Sequence, residues 1–182
     1  MYKSLTKKDI QRALKLPPKY KVDGLIVVGT HPKAKEHPCF YEALKNLNLH
    51  YVEEKIEDPF FSDIKSFVID NKRIWFDVVY GAAYLSEVVH IVCMLGSKVN
   101  ILLGCCGGLI KEMETGQIVL PKASYGNESS TRMYQRNNKS FIFPANEKLR
   151  LKIRKYLSHR NPIYEGNLVT VQAMLGESEK DI

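Results

Sequence analysis

The residues with most chemical potential are Gly104-Cys105-Cys106-Gly107-Gly108, two adjacent thiols between glycines at the end of the apolar run Val99 to Leu103. Glycine lets a backbone approach a ligand closely because no side chain stands in the way. A short apolar run bounded by glycines reads as a buried strand ending in a loop. Thiols there could be nucleophiles, but no His–Cys partnership is visible, so they read as replacements for small polar residues in a tight loop. A second such place is Gly29-Thr30-His31-Pro32-Lys33, after the run Leu25 to Val28. A glycine followed by a hydroxyl and a cation can hold an anion through backbone N–H groups and charge; a plain strand-to-helix turn is the alternative. A third is Tyr80-Gly81-Ala82, after Ile74 to Val79.

These loops need elements to position them. Ser4 to Leu14 reads as a short helix capped by Ser4 or Thr6, with Pro17-Pro18 beyond its end. Leu25 to Val28 is a strand, Phe40 to Leu47 has helical spacing, and His50 to Ile56 alternates like a strand. Residues 57–63 read as a loop. Ser66 to Ile69 and Ile74 to Val79 flank Asn71-Lys72 as a hairpin. Ala83 to Leu95 carries a helical pattern that stops at Gly96. Strand, glycine turn, helix and the strand at 99–103 make a βαβ unit, whose two strands should be parallel. Ile118 to Leu120, Ser140 to Phe143 and Leu168 to Val171 read as further strands. Asn146 to Leu157 reads as a helix whose Lys and Arg residues are solvated. In an open α/β sheet ligands sit at the carboxyl ends of strands, where all three loops lie.

Composition bounds the rest. The chain has 182 residues, 45% hydrophobic and 26% charged, enough for one full core in a single domain. There is no run of about 18 apolar residues to span a membrane, and MYKSLTKKDI lacks the apolar centre of a signal peptide, so a cytoplasmic protein is expected. Cys39, Cys93, Cys105 and Cys106 form no C-x-x-C pair, and adjacent cysteines are poorly placed to clasp one zinc; reduced thiols and no metal are expected. The net charge of +7 comes from scattered cations, densest in the first 21 positions and without interleaved aromatics, which argues against nucleic acid and for a basic face or a phosphate-bearing small molecule.

Taken together, the strand ending in Gly29 with a cation four places on, the unit around Gly81, the strand ending GCCGG, then GQIVLPKA and ESSTRMY, in that order, resemble the nucleoside phosphorylase family, which includes uridine phosphorylase and the hexameric purine nucleoside phosphorylases. SLTKKDI is similar to the opening of uridine phosphorylases. The resemblance spans nearly the whole chain. It implies an α/β fold, a three-layer sandwich with a central mixed β-sheet, and a single phosphorylase-like domain over 1–182, C-terminally short relative to the family. It implies a pentosyltransferase that cleaves the N-glycosidic bond of a purine or pyrimidine nucleoside in nucleotide salvage. Phosphate attacks the anomeric carbon as co-substrate, without a cofactor. It also implies a homo-oligomer, a dimer or a trimer of dimers.

Position by position, the resemblance assigns Gly29, Lys33 and Cys105 to phosphate, and Tyr80, Gly81, Ala82, Cys106, Gly107 and Arg132 to the nucleoside, with Gly108 as a further loop glycine. Lys33 stands where the family usually has arginine, keeping charge without the two-pronged grip. Leu102 stands where phosphorylases usually have a phosphate-binding arginine, and Cys105 puts a weak hydrogen-bonding thiol where a hydroxyl is usual. The family's glutamate motif for the ribose hydroxyls is not reached before Ile182, so a truncated chain, a fragment and a shortened homologue are all open. Two other readings follow: a nucleosidase using water, which needs no phosphate anchor, and a non-catalytic nucleoside-binding or partner subunit. His31 reads as a phosphate aid or a surface histidine, Arg132 as an anion contact or an ion-paired surface arginine, and Glu128 is similarly open. His90 reads as a packed or surface residue before a general base.

Overall fold

A computed structural model describes residues 4–30, 33–57, 61, 63–137, 140–159 and 162–171. By its contacts the chain divides into two compact units, Met1–Cys106 and Gly107–Ile182.

The first unit opens with α1 (Lys7–Ala13). Thr6 and Asp9 close a reciprocal capping box at its start, which satisfies two of the helix's orphan N–H groups. There follow β1 (Gly24–Gly29), α2 (Lys33–Asn46), β2 (Val52–Glu54), β3 (Lys65–Ile69), β4 (Lys72–Val79), α3 (Ala82–Met94) and β5 (Val99–Gly104). Among the described residues the strands form one sheet in the order β2-β3-β4-β1-β5. β4, β1 and β5 run parallel, and β2 and β3 antiparallel to their neighbours. β4, α3 and β5 are the expected βαβ unit, with β1 inserted between its two strands.

Side chains alternate across a strand, and both faces of this sheet are apolar. Leu25, Val27, Trp75 and Val79 pack with Ile10 of α1, with Leu14 at its C-cap and with Val88 and Val92 of α3. On the other face Ile26, Val28, Phe67, Phe76 and Val78 pack with Phe40, Tyr41 and Leu44 of α2. The Phe40 ring stacks on Phe76 with centroids 4.0 Å apart. Helices on both faces of a mixed sheet make the three-layer α/β arrangement that the family resemblance implies.

Among the differences from the sequence reading are two boundaries and the burial of one residue. The β3–β4 turn is centred one residue earlier, on Asp70 and Asn71, both at positive φ (49° and 60°), as a two-residue hairpin of matching twist requires. α2 begins at Lys33, seven residues before the periodic stretch, and carries Pro38 inside it; a proline that lacks an N–H hides such a start in the sequence. Arg150, expected on the surface, is buried in the second unit for a reason given below.

Far from the carboxyl edge of the sheet, a polar clamp holds the entry segment. Trp75 Nε1 donates to Tyr20 OH at 3.0 Å, and Tyr20 OH and Ser66 Oγ lie 3.1 Å apart. Arg73 sits 4.0 Å over the Tyr20 ring and grips Glu54 with two hydrogen bonds of 2.7 and 2.8 Å.

The second unit contains β6 (Ile118–Val119), β7 (Ala123–Asn127), α4 (Ser129–Tyr134), β8 (Ile142–Pro144), α5 (Glu147–Tyr156), β9 (Ile163–Tyr164) and β10 (Asn167–Val171). β6 pairs with β9; β7 lies between β10, parallel to it, and β8, antiparallel to it. Arg150 is only 7% exposed because its guanidinium bridges Glu147 and Glu165, each at 2.6 Å. That link ties α5 to the segment between β9 and β10. Paired carboxylates make burial of this cation tolerable.

Candidate functional site

Parallel pairing puts three strand ends at one level. Gly29 is the register partner of Val79 in β4 and of Gly104 in β5. The loops that leave this edge of the first unit are those opening at Thr30, at Tyr80-Gly81 and at Cys105-Cys106. Of the expected site residues, Gly29, Tyr80, Gly81, Ala82, Cys105 and Cys106 therefore share one edge of one unit. Lys33 is the first residue of α2; its side chain and all of His31 lie outside the described residues. α2 and α3 both start from this edge, and helix N-termini carry partial positive charge with unsatisfied N–H groups.

The glycines here differ in what demands them. Gly81, the N-cap of α3, has φ 96° and ψ 141°, a region that side-chain-bearing residues enter only with strain. Gly29 and Gly104 have no such backbone demand. A Cβ on Gly29 would meet the Leu103 carbonyl at 3.5 Å and Leu102 Cδ1 at 3.6 Å, and one on Gly104 would meet the Gly29 carbonyl at 3.6 Å. Those are ordinary van der Waals separations. The chain itself could carry alanine at both positions.

Leu102 is 54% exposed and Tyr80 71% exposed. Leu102 thus puts an apolar side chain beside Gly29, and Tyr80 presents an open ring at the next strand end. Cys105 and Cys106 are both exposed free thiols.

Two residues near this edge escaped the sequence reading. Asp77 is fully buried in β4, on a strand that is otherwise apolar at its core, and its Oδ1 accepts the Val78 N–H at 2.8 Å. Tyr84, in the first turn of α3, packs on Phe61. Burial, followed by the negative charges of Asp77 and Asp63, pushes the Tyr84 phenol up to about 12, so it stays a hydroxyl at neutral pH. The charged residue inside IWFDVVY is the signal that could have drawn attention to this pair.

Gly107 and Arg132 belong to the second unit. A Cβ on Gly107 would meet nothing within 4 Å. Arg132 lies on α4 and donates from Nη2 to Asn127 Oδ1 at 2.7 Å. Glu128, open in the sequence, is the buried N-cap of that helix and accepts the Ser130 and Thr131 N–H groups, each at 2.6 Å. Burial opposes its charge, but the donors on Thr131 and Ser130 outweigh it and hold the carboxyl low.

A sequence model of the phosphorylase superfamily matches residues 80–182, from the Tyr80 loop through the whole second unit. The chain belongs to the phosphorylase superfamily. No curated protein matches it by sequence. Among solved structures it is similar to uridine phosphorylase from Vibrio fischeri, with 16% identity, a TM-score of 0.63, and coverage of 90% of this chain and 64% of that one. It is similar to purine nucleoside phosphorylase from Toxoplasma gondii (19% identity, TM-score 0.65, 91% of this chain and 64% of that one). It is also similar to a futalosine hydrolase mutant from Helicobacter pylori (11% identity, TM-score 0.63, 88% and 73%). These likenesses establish the α/β fold with its mixed central sheet. The chain spans less than two thirds of the length of the two phosphorylases. Phosphorylases and a hydrolase stand side by side among its structural neighbours. Among the described residues no group of three or more His, Cys, Asp or Glu could hold a metal ion, and no helix is long and apolar enough to cross a membrane.

Proposed function

We propose that this phosphorylase-superfamily chain binds a nucleoside at the carboxyl ends of β1, β4 and β5 and cleaves its N-glycosidic bond with phosphate. The supporting observation is the alignment of Gly29, Val79 and Gly104, with glycine at two positions where the chain itself does not require it. Bare backbone at a strand end suits a ligand that must come close.

In this reading phosphate lies against Gly29 and Cys105 with Lys33 supplying charge, and the nucleoside lies along Tyr80, Gly81, Ala82 and Cys106. The approaching anion stabilises an oxocarbenium-like sugar while the base departs. The active assembly is a homo-oligomer.

One observation favours a second reading, hydrolysis. Leu102 sets an apolar side chain beside Gly29, and such a side chain gives phosphate no donor, whereas water needs no such anchor. Product analysis separates the two. A panel of purine and pyrimidine nucleosides is incubated with the protein and phosphate, and the sugar product is identified. A sugar 1-phosphate supports phosphorolysis; free sugar, released equally without phosphate, supports hydrolysis. Nucleoside binding with no product would leave a binding subunit and overturn both catalytic readings.

A further inference from the structure

Cys105 and Cys106 are adjacent, exposed and unlinked. They stand at the last two positions of the first compact unit, the second unit starting at Gly107. The flanking glycines leave the backbone free to adjust: Gly104 precedes the pair, Gly107 and Gly108 follow it, and the space around Gly107 is open. Exposure gives an oxidant access, which a buried thiol would deny.

We propose that Cys105 and Cys106 are a modification site, closing to a vicinal disulfide by exchange with a small disulfide oxidant of the glutathione class. One thiolate attacks a sulfur of the oxidant, forming a mixed disulfide and expelling one thiolate. The neighbouring thiolate then attacks the protein sulfur of that mixed disulfide and expels the second. Two electrons pass from the cysteine pair to the oxidant, which leaves as two thiols, and the two cysteine protons end on those products or on buffer. The second step is intramolecular between adjacent residues, which favours it over attack by a second external thiolate.

Adjacent Cα atoms are about 3.8 Å apart across a trans peptide, closer than the roughly 4.4–6.8 Å of ordinary disulfides. The eight-membered ring is accordingly tight and readily reduced, the behaviour of labile rather than structural bridges. Closure locks the backbone between Gly104 and Gly107. Its effect on ligand binding rests on the functional reading above; the thiol chemistry does not.

The test is made on the full 182-residue chain incubated with oxidised glutathione, followed by intact mass and peptide mapping, with no nucleoside present. In the peptide that contains the pair, the expected product has lost two hydrogens, is linked from Cys105 to Cys106 without glutathione, and returns to the dithiol with dithiothreitol, whatever the exposed Cys39 and Cys93 take up. Cys39→Ser and Cys93→Ser cross-link alike, whereas Cys105→Ser and Cys106→Ser each retain one glutathione on the remaining thiol of the pair. Glutathione retained on either thiol of the unmutated pair, a link from the pair to Cys39 or Cys93, or a free dithiol at 105–106 after equilibration overturns the proposal. Because no nucleoside enters the readout, failure of the functional reading would leave this result standing.

Discussion

Gly29 and Gly104 face each other as register partners across β1 and β5, each with room for a methyl group that neither carries. The fold does not need these glycines, and a ligand approaching the backbone would. Gly29→Ala and Gly104→Ala are expected to change stability by less than about 1 kcal/mol, as substitutions free of strain and clash do. Nucleoside or phosphate binding should fall at least about tenfold, the effect of roughly 1.4 kcal/mol of lost contact. Thermal unfolding and ligand titration on the same variants check both halves.

Gly81 and Gly126 should behave in the opposite way. Gly81 holds φ 96°, and a Cβ on Gly126 would fall 2.6 Å from Thr131 Oγ1 and 2.8 Å from its Cγ2. Gly81→Ala is expected to cost about 1–3 kcal/mol through backbone strain, and Gly126→Ala a similar amount through overpacking, about 1–3 kcal/mol. Denaturant unfolding measures each, and Gly126→Ala combined with Thr131→Ser should recover part of the loss.

The clamp on Tyr20 sets an acid limit on the first unit. The hydrogen bonds from Arg73 come first among the causes that hold Glu54 below its ordinary 4.5. Those from Lys21, then from the Arg73 backbone, hold Asp23 below its ordinary 3.8. A carboxyl depressed in the folded state binds fewer protons there than when unfolded. Its stabilisation is present above the unfolded value and is lost as pH falls through the folded one. Stability should therefore decline below about pH 4.5, and Glu54→Gln should flatten that decline while lowering stability at neutral pH by about 1–3 kcal/mol. Unfolding midpoints from pH 3 to 7 provide the measurement.

Leu102 tests the choice of nucleophile. Its side chain lies next to Gly29 and is half exposed, so Leu102→Arg can be accommodated without emptying a core. A guanidinium there offers phosphate charge-assisted hydrogen bonds worth about 1.5–3 kcal/mol, a gain of roughly tenfold or more in phosphate affinity. Phosphate titration of the variant reads this directly.

Much of the sheet edge at the ends of β1, β4 and β5 was legible because its strands are short apolar runs that lead into glycine, a pattern that marks both the strand and its exit loop. That pattern located Gly29, Tyr80-Gly81 and Gly104. It could not show that β1 inserts between β4 and β5, since strand order depends on packing on both faces. Asp77 was hidden as one charge within an apolar run. No strand or helix was legible from Ala123 to Tyr134 because β7 and α4 lack a strong period; α4 is held by the Glu128 cap and by the seat of Thr131 on Gly126. Arg150 looked solvated because its partner Glu165 lies 15 residues away, beyond the reach of helical spacing.

The most direct test is base release from a panel of nucleosides by the unaltered protein, with and without phosphate, run beside Gly104→Ala. The account predicts release that requires phosphate and is lost in the folded variant. Release that survives unchanged in Gly104→Ala would contradict a site at the ends of β1, β4 and β5, and release indifferent to phosphate would contradict phosphorolysis.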